Sequence, residues 1–159
     1  SFEYVSHVIS EIRKIHKTLV VPNIQITGLF ENIKTLVADT NNKNMVHFKF
    51  IESGIDEEED LDKHMQLDIL RMVQELMNNI VKHAYATIAI ITLSRQAGNL
   101  ILTVADNGKG CKSITEKKGV GIINIKSRAE LYGGTVVVKS KPGKGYTLKV
   151  VLPCFTAAC

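Results

Sequence analysis

Val5, Ile9, Ile12, Ile15 and Leu19 recur at three- and four-residue steps, which predicts an amphipathic helix over 3–19, ended by Pro22. A second helix is expected over Leu29 to Ala38, stopping at the polar run DTNNKN. Met45 to Ile51 alternates apolar and polar residues like a half-buried strand, and the acidic stretch after it reads as a loop. From about Asp60 to Ala86 the period returns to that of a long helix. Thr87 to Arg95 and Asn99 to Asp106 are expected to be strands of a hairpin turning at Gly98. A polar, glycine-bearing loop follows. A helix from about Gly121 to Tyr132 then stops at Gly133-Gly134, and TVVVKSK and YTLKVVLP form a closing hairpin around PGKG. Runs of helix and runs of hairpin strand imply an α+β fold, a sheet covered by helices on one face.

On the long helix, Ile69, Val73, Leu76 and Ile80 share one face while Glu75, Asn78, Asn79, Lys82 and His83 share nearly the opposite one. Such a polar face is ordinarily just solvated. Two adjacent asparagines, however, cost several tenths of a kcal/mol each relative to alanine in a helix interior. Glu75, Asn79 and His83 also lie at i, i+4 and i+8, so a carboxylate, an amide and an imidazole project in one row. A carboxylate and an amide oxygen one turn apart suit a hard cation such as Mg²⁺, and Lys82 beside them could meet a phosphate.

The strand NLILTVAD ends on Asp106 and breaks into DNGKG, where Gly108 and Gly110 permit positive φ and close backbone approach. A carboxylate at the mouth of a buried strand needs a donor, and a ligand amine could be that donor. Gly119, Val120, Gly121 and Ile122 open the next helix, whose free N–H groups and dipole favour a phosphate. Neither a P-loop nor a dinucleotide fingerprint is present: GxxxxGK[ST] does not occur, and Asn124 stands where a third glycine belongs. PGKGYT taken alone is an ordinary hairpin turn.

Composition narrows the class. The chain has 159 residues, 45% hydrophobic and 23% charged, which suits one ordinary globular domain. No apolar run approaches the roughly 18 residues of a membrane span. Cys111, Cys154 and Cys159 are odd in number and lack metal-ligand spacing, which favours a reducing cytoplasm over a disulfide or zinc framework. The net charge of +4 is unevenly spread: residues 56–62 read DEEEDLD, whereas Lys109 to Lys149 holds ten Lys or Arg against Glu116 and Glu130. A basic half suits a polyanion; with no Arg-rich stripe and few interleaved aromatics, nucleotide phosphates suit it better than nucleic acid.

In order, the chain carries Q-E-x-x-x-N-x-x-K-H-A, D-N-G-K-G, G-x-G-I, L-x-G-G and P-G-x-G-x-T leading into L-P. This series resembles the nucleotide-binding domain of sensor histidine kinases, in the ATPase superfamily shared with DNA gyrase and MutL, over about Leu67 to Pro153. Its spelling is most similar to the short-lidded subfamily of nitrate and membrane-fluidity sensors. A weaker similarity at Ile12-Arg13, Leu19, Pro22 and Gly28-Leu29 looks like that subfamily's second dimerisation helix and linker.

The resemblance implies a two-layer Bergerat-type fold with a mixed, mainly antiparallel sheet. It implies that residues 1–22 are a dimerisation-helix remnant and that 23–159 are an ATP-binding catalytic domain. By the same resemblance Glu75 is the catalytic acid/base and reaches Mg²⁺ through water, while Asn79 coordinates Mg²⁺. Lys82 and His83 approach the phosphates, and Asp106 accepts from the adenine amino group beside Gly108 and Gly110. Residues 111–118 form a lid, Gly119, Val120, Gly121 and Ile122 seat the phosphates, and Thr147 lies near the adenine. Asn124 replaces a residue that is often small, and Tyr146 interrupts what is often G-x-G-T.

The implied cofactors are ATP and Mg²⁺. The implied partners are the chain's own dimerisation and phosphoacceptor domain and a response regulator, within a homodimeric parent and with no role for nucleic acid. A cytoplasmic domain is expected, of a parent that a membrane could anchor elsewhere. His7, His16, His47, His64 and His83 are followed by Val, Lys, Phe, Met and Ala, whereas the family's phosphoacceptor histidine is typically followed by an acid. With no initiator Met, the chain is expected to be part of a longer protein whose acceptor helix lies upstream. A serine kinase of the anti-sigma-factor type and a non-catalytic nucleotide-binding module are the alternatives. The dimerisation-like N-terminus argues against the first, and the intact Glu75 and Asn79 against the second.

Overall fold

The computed structural model describes residues 4–9, 12, 24–55, 61–112 and 120–154. Residues 4–9 are helical, and the remainder of the helix expected over 3–19, apart from residue 12, lies outside the described residues. Helix α1 spans Ile24–Lys43 and is interrupted at Gly28 (φ 76°, ψ 168°), a conformation suited to glycine. It continues past Ala38 through the polar run expected to end it. Asn41 explains why: its Oδ1 accepts from Phe48 N (2.7 Å) and its Nδ2 donates to Phe48 O (2.9 Å), stitching the helix to the first strand.

That strand, β1 (His47–Ser53), begins two residues later than alternation alone predicts. Its ends are set by parallel pairing with β2 (Ile88–Gln96), from His47 opposite Ile88 to Ser53 opposite Ser94. The inward phase is as expected, with Val46 and Phe48 buried and Met45 exposed. Helix α2 (Lys63–Asn79) starts where Asp62 accepts from His64 N and Met65 N. It passes into one π-helical turn, Ile80–Ala84, and stops at Tyr85, which is left-handed at φ 53°.

Strand β3 (Asn99–Asp106) returns antiparallel to β2 through Ala97 and Gly98, both at positive φ as a tight hairpin turn requires. Helix α3 (Val120–Leu131), β4 (Thr135–Ser140) and β5 (Tyr146–Pro153) complete the chain. The sheet order is β1-β2-β3-β5-β4, with only the first pair parallel. This is the expected α+β arrangement, a mixed, mainly antiparallel sheet layered under helices.

One core lies between the layers. Phe48, Ile91, Leu93, Leu100, Leu102, Leu148 and Val150 rise from the sheet to meet Ile33, Ile69, Met72, Val73 and Ile125, all essentially inaccessible. Each such side chain is worth roughly 1.5–3 kcal/mol when buried. At one edge of the core α3 is tied to α2: Asp68 accepts from the Arg128 guanidinium and from Tyr132 Oη (2.8 Å). Burial first, and the Asp68 carboxylate second, push the Tyr132 phenol pKa upward, so the hydroxyl keeps its proton. This clamp holds the last turn of α3 against the early part of α2, and the candidate site forms at the other end of α3, where its first turn meets the end of α2.

Candidate functional site

The site is a cavity of about 380 Å³ bounded by the end of α2, the β3 terminus, the start of α3 and the start of β5. Leu76, Ile80 and Val104 make its apolar walls, and Asn79, His83 and Asp106 its polar points. A mostly apolar cleft with a few convergent polar groups is the usual form of a small-molecule site.

The π turn places the α2 residues. Asn79 before it and His83 within it both line the cavity, whereas Lys82 does not. The same turn brings the Ala84 carbonyl to the DNGKG loop, where it accepts from Lys109 N (2.8 Å). Gly108 has to be glycine here: a Cβ would overlap Ala84 O.

Asp106 ends β3 with its carboxylate half-buried, and one oxygen accepts from Gly108 N (2.7 Å). Asn107 secures the turn from the other side, its Oδ1 accepting from Thr87 N (2.9 Å) and Ile88 N (3.0 Å). The β4–β5 turn is tied in as well, with Gly145 N donating to Gly108 O (3.0 Å) and Gly143 N to Lys109 O (2.7 Å). PGKG therefore acts as a buttress of the site, more than the plain hairpin turn it resembles when read alone.

Glu75 lies one turn before Asn79, half-buried against the first turn of α3, where a Cβ on Gly121 would run into its Oε1. Gly121 and Ile122 line the cavity, whereas Val120 is exposed. Gly119 and residues 113–118 of the expected lid lie outside the described residues. Among the described residues no three His, Cys, Asp or Glu side chains cluster around a metal position. The oxygens of Glu75 and Asn79 suit a cation of the Mg²⁺ kind, which takes most of its ligands from phosphates and water.

Of the expected site residues, Glu75, Lys82, Gly108 and Val120 stand outside the cavity lining, and the closing hairpin also differs from expectation. Thr147 does not line the cavity; Tyr146 does. Strand alternation is the reason, because Tyr146 and buried Leu148 face the helices while Thr147 takes the opposite face. Lys109, which the motif reading passed over as a loop residue, also lines the cavity, its Nζ 4.7 Å from the Tyr85 ring centroid. The tyrosine could have been found by counting parity back from the apolar residues of β5. The lysine left no such trace, because its direction depends on the Ala84 contact.

The family described as "Histidine kinase-, DNA gyrase B-, and HSP90-like ATPase" matches residues 64–155, and the chain belongs to it. Its members' domain is an ATP-binding one. The chain is 28% identical over 151 residues to the signal transduction histidine-protein kinase/phosphatase DegS of Brevibacillus brevis, covering 93% of this chain and 38% of that protein. It is 32% identical over 129 residues to the sensor histidine kinase LiaS of Bacillus subtilis, covering 80% and 35%. The chain thus spans little more than a third of these relatives. In fold it is similar to the histidine kinase AdeS of Acinetobacter baumannii, with a TM-score of 0.61, 15% identity and coverage of 96% of this chain and 79% of that one.

Proposed function

We propose that this chain is the ATP-binding catalytic part of a sensor histidine kinase, which passes the γ-phosphoryl group of ATP to a histidine outside these residues. The observation that carries this reading is the convergence of Asp106, Asn79 and Gly121, distant in sequence, on one cavity. Asp106 brings a half-buried carboxylate to the cavity wall, and a carboxylate acceptor suits the amino group of adenine. Asn79, His83 and the amide end of α3 face the phosphate end of the cleft, where donors and a helix dipole stabilise anionic oxygens.

Phosphoryl transfer asks a protein mainly for positioning and charge neutralisation. Mg²⁺, when bound through Asn79 and by water to Glu75, supplies neutralisation. Lys109 adds a cation from the β3 side, and in this reading Glu75 takes the proton of the attacking imidazole. The response regulator and the homodimeric parent proposed for this chain follow from the same reading.

The test has two stages. Isothermal calorimetry on the chain should show Mg²⁺-dependent binding of ATP. A longer protein that includes the upstream dimerisation helices should then label from [γ-³²P]ATP on histidine, giving phosphate that is lost in acid and kept in alkali. Acid-stable phosphoserine would overturn the kinase class, and absence of ATP binding would overturn the site.

A further inference from the structure

Tyr146 stands directly across the β3–β5 ladder from Asp106, and Gly145 before it is at φ 75° with its Cα against the Asp106 carbonyl. Residues opposite one another on neighbouring strands project to the same face. Accordingly both side chains enter the same cavity, the carboxylate and the aromatic ring side by side. The backbone that carries the ring is held in place. Gly145 N is held by Gly108 O at 3.0 Å, Ser140 Oγ donates to Gly145 O at 2.8 Å and itself accepts from Cys111 N at 3.0 Å. Gly110, at φ 62°, is packed against the carbonyls of Lys141 and Gly145. The 108–111 loop and residues 140–141 therefore converge on the residue next to Tyr146 and fix the backbone from which the ring enters the cavity.

We propose that Tyr146 is a specificity-determining residue of the base pocket: its ring closes the space beyond the amino group that Asp106 recognises, so that purines substituted on that nitrogen are excluded. The inference rests on the nucleotide reading of the cavity and assigns it a size limit. At about 380 Å³ the cavity is near the small end of ligand sites, so an aromatic side chain on its wall bears directly on what it can admit. Burial, with Cys111 and Asp106 adding to it, pushes the phenol up to about 12, which keeps the ring uncharged beside a carboxylate at neutral pH. Exclusion by the ring predicts that its bulk matters and its hydroxyl does not.

Wild type, Tyr146→Phe and Tyr146→Thr are titrated by calorimetry with Mg-ATP and with N6-benzyl-ATP, and the ratio of the two affinities is read on each protein. Wild type and Tyr146→Phe should prefer ATP by at least about tenfold, and Tyr146→Thr should shift that ratio toward the analogue by about tenfold or more. Wild type that binds the benzyl analogue as tightly as ATP overturns the proposal without any variant. So does a Tyr146→Thr protein that still binds ATP with the wild-type ratio. Failure of wild type to bind either nucleotide overturns the nucleotide reading itself, and the two failures are thereby distinguished.

Discussion

Glu75 and Gly121 are packed so closely that a methyl group on Gly121 would occupy the position of the Glu75 carboxylate oxygen. The first turn of α3 can approach α2 to this degree only because one of the two residues has no side chain. The contact joins the proposed acid/base to the proposed phosphate seat. Gly121→Ala should therefore displace a flexible carboxylate and leave the backbone where it is. Alanine also gains about 1 kcal/mol in helix propensity, which offsets the crowding. Urea denaturation should show a stability change below about 1 kcal/mol, while phosphoryl transfer in the longer protein falls toward the level of Glu75→Ala.

Gly108→Ala should behave in the opposite way. Its added Cβ meets the Ala84 carbonyl, which is backbone and cannot rotate aside. Relief requires the DNGKG turn to leave the π turn and break the bond from Lys109 N to Ala84 O. Overpacking of this kind costs about 1–3 kcal/mol. Denaturation and ATP titration should both register the loss, in contrast to the selective effect at Gly121.

Asp106→Asn isolates recognition from folding. The asparagine Oδ1 can still accept from Gly108 N, so the turn should persist and the melting temperature should stay within a few degrees. What disappears is a charged acceptor facing the ligand, worth about 1.5–3 kcal/mol, or roughly tenfold to a hundredfold in affinity. Calorimetry that finds full-affinity ATP binding by this variant would remove Asp106 from the site.

Asp68→Ala should loosen α3 without touching the cavity wall. It leaves the Arg128 guanidinium and the Tyr132 hydroxyl without the acceptor they share. Loss of bonds to a charged group at a partly buried site costs about 1–3 kcal/mol. Hydrogen exchange should quicken along Val120–Leu131 more than along α2 or the sheet, since α3 has few other buried anchors beyond Ile125 and Ala129.

Alkaline stability tests the burial of Tyr146. The phenol pKa is raised from 10.0 to about 12, so the folded state holds the proton more tightly than the unfolded one. The associated stability is present below pH 10 and is lost as pH rises through about 12. In Tyr146→Phe, unfolding free energy measured against pH should fall less steeply over that interval. Ultraviolet titration of wild type should likewise show a phenol ionising above pH 10 that Tyr146→Phe removes.

The order of the motifs, the class of each element and the inward phase of the strands were legible in the chain because they depend on local spacing. Ile69, Val73, Leu76 and Ile80 declare a helix face wherever they occur, and the DNGKG turn declares its glycines. Element ends were less legible. Asn41 extends α1 by bonding to Phe48, and β1 begins where β2 offers partners; both depend on residues far away in sequence.

By itself, then, the sequence determined that a sheet is layered under helices and that Glu75, Asn79 and Asp106 are set apart from ordinary surface. Only the tertiary structure decided that Tyr146 and Lys109 share the cavity with Asp106, that Lys82 and Thr147 do not line it, and that Gly121 is glycine because Glu75 is there. The physical reason is common to all of these. Periodicity assigns a side chain to a face of its own element, but which atoms meet that face depends on strand pairing, on a single π turn and on close backbone contacts between elements.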